Sequence, residues 1–181
     1  MILIVLPIMT GLIMLADRII FYVYSSAFAN SVIALQILAA SLIFSFVHYL
    51  MGFLLNAIDK QKLFTLTASI TAVFNIVLNI FLIPKYSYIG AGVATLISEV
   101  LSFFLLYYFT FKNKFRLNIA KIIKKPIVAN IAVIGLIIYL RNLNLILIVI
   151  LSALAYFIAL FLIKGISKEE IKLLQSFIHK K

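Results

Sequence analysis

The sequence predicts an all-α, polytopic membrane protein of about six transmembrane helices, with an amphipathic helix at its C-terminus. Three observations carry this prediction: composition, the spacing of apolar runs, and the distribution of basic residues between them. Of the 181 residues 66% are hydrophobic and 12% are charged, and the mean hydropathy is +1.24. A soluble domain of this size leaves about a third of its chain surface in water, which is no place for so many apolar side chains. A bilayer-crossing helix needs about 20 apolar residues, or somewhat fewer when its ends carry snorkelling cations. Six runs meet that need: 1–24, 32–57, 63–83, 90–111, 127–140 and 143–163.

The first run has no basic segment ahead of it and no small-residue cleavage site after it, so no cleavable signal peptide is expected. The third and fourth runs meet at a turn built from Pro84, Lys85, Tyr86, Ser87, Tyr88 and Gly90. The fifth is short, and it begins after Pro126, a residue suited to a first helical turn. Lys124 and Lys125 stand beside it, placed to snorkel; a re-entrant segment is the other reading of this stretch.

Orientation follows from Lys and Arg. With both termini cytoplasmic, 13 of the 16 basic residues fall on the inner side, and only Arg18, Lys85 and Arg141 fall outside. This alternation satisfies the positive-inside rule, and the opposite orientation inverts it. The net charge of +11 therefore suits anionic lipid headgroups, and membrane lipids rather than nucleic acid are the expected partners. The basic stretch 112–125 is a cytoplasmic connector, either a solvated link or an interfacial helix. The tail 164–181 places Ser167 and Glu170 in capping-box spacing, then Ile171, Leu174 and Ile178 on one face, which predicts an amphipathic cytoplasmic helix.

Candidate functional residues are the polar groups inside the apolar runs, since a polar group at membrane depth needs a protein partner, a hydrated cavity or a ligand. Glu99 lies nine residues after Gly90, and Asn75 nine residues before Pro84. An antiparallel hairpin puts both about 13 Å below the outer turn, with Asn79 one turn nearer the outside. Two readings of Glu99 stand: a protonatable or cation-binding group, or a neutral side chain bonded to Asn or Ser neighbours that ties two helices together. Arg18 either faces inward, where a guanidinium suits a phosphate, or snorkels to the outer headgroups. His48, in the inner part of the second run, reads either as a proton relay or as an imidazole bonded to a neighbouring helix. Gly90, Ala94, Ser98 and Ser102 recur every four residues as a small-residue stripe for close helix approach.

The composition holds no cysteine, which excludes disulfides and thiolate metal sites. No HExxH, paired intramembrane Asp motif, Gly-rich phosphate loop or Ser/His/Asp set is visible. The sequence therefore predicts neither an enzyme, nor a metal centre, nor a cofactor.

The run ALQILAASLIFSFVHYLMGFLLNAIDKQKLF followed by NIVLNIFLIPKYSYIGAGVATLISE resembles the C-terminal half of polysaccharide-biosynthesis flippases of the O-antigen type. These belong to the multidrug/oligosaccharidyl-lipid/polysaccharide exporter superfamily. The sharpest signature is N-x3-N-x4-P…G-A-G-x-A-T-x-x-S-E, and the closing SKEEIKLLQSFIHKK resembles the family's cytoplasmic tail helix. The resemblance implies half of a two-half helical bundle around a central cavity. It also implies that a polyprenyl-linked oligosaccharide moves from the inner to the outer leaflet of the cell membrane by alternating access. Repeat-built transporters hold substrate between halves, so the implied partner is an N-terminal half or a second subunit. On this reading Arg18, Asn75, Asn79 and Glu99 bind substrate or a coupling ion. A cation-coupled multidrug exporter half and a non-transporting structural membrane subunit are the alternatives.

Overall fold

The computed structural model describes residues 2–113, 115 and 119–163, which are helical throughout except at turns. The chain divides into two compact units, Met1–Asn118 and Ile119–Lys181. The first holds α1 (Ile2–Met14), α2 (Ala16–Tyr24), α3 (Ser31–Ala57) and α4 (Gln61–Lys112), with a 3-10 turn at Ser26–Phe28. The second holds α5 (Ile119–Tyr139) and α6 (Leu145–Leu162). By length and apolar composition α3, α4 and α6 each suffice to cross a membrane. Among the described residues that makes three such helices, or four with the bent pair α1–α2, where the sequence predicts six spans.

One departure is the run 1–24. It is not one helix: α1 and α2 meet at a bend of 71°. Leu15 leaves helical geometry there (φ −108°, ψ 12°), and Leu15 and Ala16 become buried. A helix end leaves its last carbonyls without intrahelical partners. The Leu15 N–H donates to the Gly11 carbonyl at 2.9 Å, and the Gln36 amide of α3 donates to the Ile13 carbonyl at 3.1 Å. A side chain entering the backbone ladder is a recognised cause of a sharp kink.

The turn from α3 to α4 is a Schellman closure. The Asp59 N–H donates to the Asn56 carbonyl at 3.1 Å and the Lys60 N–H to the Leu55 carbonyl at 2.8 Å. Asp59 takes the left-handed position (φ 58°) that glycine more often fills.

The element α4 spans Gln61–Lys112 but consists of two helices that meet at a kink, where Ser87 (φ 51°, ψ −135°) leaves helical geometry inside the turn expected at Pro84–Gly90. A straight helix of that length measures about 78 Å, yet α4 doubles back. Asn75 Nδ2 donates to Ser98 Oγ at 3.0 Å across 23 residues, which a straight helix holds about 35 Å apart. The two arms, before and after Ser87, are therefore antiparallel. The reversal is tight enough that a Cβ on Gly90 would overlap the Leu82 carbonyl. Residues Gly90, Ala94, Ser98, Ser102, Leu106 and Thr110 form one buried row along the second arm, extending the small-residue stripe read from the sequence. Opposite it, α3 buries Val47, His48, Met51 and Leu55.

In the second unit, α5 begins at Ile119 rather than at 127, and Pro126 lies inside the helix instead of in its first turn. The connector 112–125 is thus in part helix, since its residues from Ile119 onward belong to α5. Ala129, Val133 and Ile137 of α5 are buried, as are Ile148, Ser152, Tyr156 and Leu160 of α6. Asn144 caps α6, its side-chain oxygen accepting from the Ile146 N–H at 2.9 Å. The tail 164–181, with its expected amphipathic helix, lies outside the described residues.

Two glycines test the packing. Ala at Gly90 forces the backbone of one arm off the other and should cost about 1–3 kcal/mol or more. Gly135 lies in the interior of α5 with open space around its Cβ position, so Gly135→Ala should stabilise by up to about 1 kcal/mol. Thermal unfolding of the two variants in detergent, moving in opposite directions from the parent, is the expected result.

Candidate functional site

The reversal of α4 places three helical segments around one cavity: the end of α3 and both arms of α4. The cavity measures about 370 Å³ and opens to one side. Its first arm contributes Thr67, Thr71 and Asn75, its second arm Thr95, Ser98 and Glu99, and α3 contributes His48 and Tyr49. Apolar surface comes from Phe64 and Leu106. Among the described residues neither lysine nor arginine lines it.

Glu99 and His48 are its ionisable centre. His48 Nδ1 stands 2.8 Å from Glu99 Oε2, with the two side chains 10% and 24% exposed. Neither atom has a hydrogen-bonding partner among the described residues; the two stand in close contact without the alignment of a hydrogen bond. The Tyr49 ring lies against the imidazole, with centroids 4.4 Å apart. The contact also joins α3 to the second arm of α4, where Phe44 packs edge-on against Phe103 and the Tyr88 hydroxyl donates to the Asn30 carbonyl at 3.3 Å.

The amides form a second, linked set. Asn75 donates to Ser98 Oγ, joining the arms. Asn79 donates to both the carbonyl oxygen and the side-chain oxygen of Asn75, each at 2.9 Å. The Asn79 side-chain oxygen is buried and accepts from no donor among the described residues. The threonine hydroxyls are committed within their own arms: Thr67 to the Leu63 carbonyl at 3.0 Å, Thr71 to Thr67 at 2.8 Å, and Thr95 to Ala91 at 3.0 Å. Their protons are used, while their oxygens keep lone pairs for an incoming donor.

Of the four residues singled out from the sequence, the structure brings Asn75 and Glu99 to one cavity. Asn79 is bonded to Asn75 but lines a shallow apolar depression with Ile76, Ile80, Ile83 and Pro84. Arg18 lies half-buried on α2, beyond the bend, and is not among the cavity's lining residues; both it and Asp17 take part in interactions within the chain. Of the two readings of Glu99, the bonded one gives it an Asn or Ser as partner. Asn75 instead bonds Ser98, the neighbour of Glu99, and the imidazole of His48 takes the carboxylate. The signal was present in the sequence: one carboxylate and one imidazole lie well inside apolar helices that adjoin in the chain, and each has few other polar groups to meet.

The pair predicts a specific pattern of stability. Removing one partner strands a buried ionisable group, which costs about 3–5 kcal/mol in comparable settings, whereas apolar replacement of both is often neutral. His48→Leu and Glu99→Leu should each destabilise, and the double variant should be more stable than either single one. A double-mutant cycle read by thermal unfolding in detergent measures this; additive losses would overturn the pairing.

No protein-family profile matches the chain. Over 96 residues it is 34% identical to a protein of Haloferax volcanii (strain ATCC 29605) described as a probable low-salt glycan biosynthesis flippase, Agl15. The match covers 53% of this chain and 20% of that relative, so the chain aligns with about a fifth of the relative's length.

Proposed function

We propose that this chain forms part of a membrane transporter that carries a lipid-linked glycan from the inner to the outer leaflet by alternating access. The observation that supports this most is the 34% identity over 96 residues to a probable glycan biosynthesis flippase. The cavity fits the reading physically. A glycan headgroup cannot cross hydrocarbon without a hydrated, polar path, and the Asn75–Ser98 and His48–Glu99 contacts build such a surface between apolar helices. Because the match spans a fifth of the relative, the proposed transporter includes further helices, supplied by a second half or subunit, that close the cavity's open side. In this reading the chain transports rather than catalyses. It resides in the cell membrane with six spans, counting the two arms of α4 separately and α1–α2 as one broken span. Both termini face the cytoplasm, as the 13 inner and 3 outer basic residues favour.

One observation favours a second reading. An ionisable Glu99–His48 pair in a cavity is also what a cation-coupled multidrug exporter needs. Deletion of the whole gene in its host separates the two. Flippase function predicts accumulation of lipid-linked glycan facing the cytoplasm and at least a tenfold loss of surface glycan, restored by the intact gene. Unchanged surface glycan together with increased sensitivity to cationic drugs would overturn it in favour of the exporter.

A further inference from the structure

Resting on the transport reading, we propose that the cavity between α3 and the two arms of α4 is a subsite for a neutral, hydroxyl-rich sugar and discriminates against anionic groups. Size is the first argument. A volume of about 370 Å³ lies within the ~300–1,000 Å³ of small-molecule pockets and far above the ~30 Å³ of one water. The space suits a ligand of many atoms rather than a single bare ion.

Hydrogen-bond inventory is the second argument. The hydroxyl protons of Thr67, Thr71 and Thr95 are given to backbone carbonyls, so their oxygens meet a ligand as acceptors. The Asn75 amide donates to Ser98, and its oxygen accepts from Asn79. Glu99 turns one oxygen to His48 and keeps the other as a strong acceptor. The hydroxyls of Ser98, Ser102 and Tyr49 and the second N–H of Asn75 can still donate, so the wall both accepts and donates, as sugar hydroxyls do and ionised phosphates and carboxylates, which only accept, do not.

Charge is the third. Among the described residues Glu99 is the sole acidic one lining the cavity, one of its oxygens already faces His48, and neither lysine nor arginine lines the wall. An anionic ligand there meets repulsion with no guanidinium or ammonium to offset it. The rings of Tyr49 and Phe64 supply apolar faces against which the C–H face of a sugar ring can lie. The phosphate of a lipid-linked substrate therefore has its contacts elsewhere, and this cavity reads the sugar.

The test uses the full chain in lipid nanodiscs, with saturation-transfer NMR on methyl glucoside, methyl glucuronide and inorganic phosphate at neutral pH. Methyl glucoside should bind at least tenfold tighter than methyl glucuronide, with no detectable phosphate binding. Glu99→Gln should narrow the difference to under threefold. Thr71→Val, a near-isosteric change, should weaken glucoside binding and leave the preference in place. Equal or tighter binding of the glucuronide or of phosphate by the parent chain overturns the proposal. So does glucoside binding that neither variant alters, or sodium binding without sugar binding. The preference for neutral sugar combined with unchanged surface glycan on gene deletion would overturn the transport reading alone. Loss of surface glycan without the preference would overturn only the subsite.

Discussion

The reversal of α4 at Ser87 is the constraint on which the rest of the first unit depends. At this one residue, with φ 51° and ψ −135°, the two helices of α4 meet and the chain doubles back. Everything that distinguishes this unit from a bundle of plain apolar rods follows from that turn. The arms lie close because Gly90 has no side chain to push Leu82 away. They stay in register because Asn75, twelve residues before the turn, bonds Ser98, eleven after it. Without the reversal there is no second wall, and the hydroxyls of Thr67, Thr71 and Thr95 have no shared space to line.

Polar groups in apolar surroundings then explain how the helices are held. The hydrophobic effect does little to orient helices that face lipid, so specific contacts carry disproportionate weight. Gln36 reaches a carbonyl at the end of α1 and stabilises a 71° bend. His48 reaches Glu99 and ties α3 to the second arm. In both cases the side chain that reaches out sits on α3, which makes this helix the post against which the broken first segment and the doubled α4 are arranged. The first arm of α4 is the exception. Of its length only Thr67 is buried, while Val73, Ile76, Ile80 and Phe81 are largely exposed, as expected of a wall with lipid or further helices on its outer side.

The same contacts give the cavity its chemical character. The hydroxyls of Thr67, Thr71 and Thr95 give their protons to helix carbonyls and keep lone pairs for an incoming donor. Ser98 accepts from Asn75 and keeps its own proton to give. The groups that stabilise the helices are thus the same groups that line the open space.

Much of this is legible in the chain itself. Apolar runs long enough for a bilayer, the period-four small residues from Gly90 to Ser102, and the turn near Ser87 all follow from local rules of length, spacing and backbone preference. The common depth of Asn75 and Glu99 followed from counting residues on either side of that turn. What local rules did not contain was pairing across helices. The bend at Leu15 depends on Gln36, some twenty residues away. The position of Pro126 inside α5 shows that proline is tolerated where packing holds the helix together. That Glu99 meets His48, while Asn75 meets Ser98, was decided by which faces α3 and the two arms turn toward one another. The sequence by itself determined that carboxylate, imidazole and amides would lie among apolar helices and would need partners. Only the tertiary structure decided which partners they took, because that choice rests on ångström-scale distances between segments far apart in the chain.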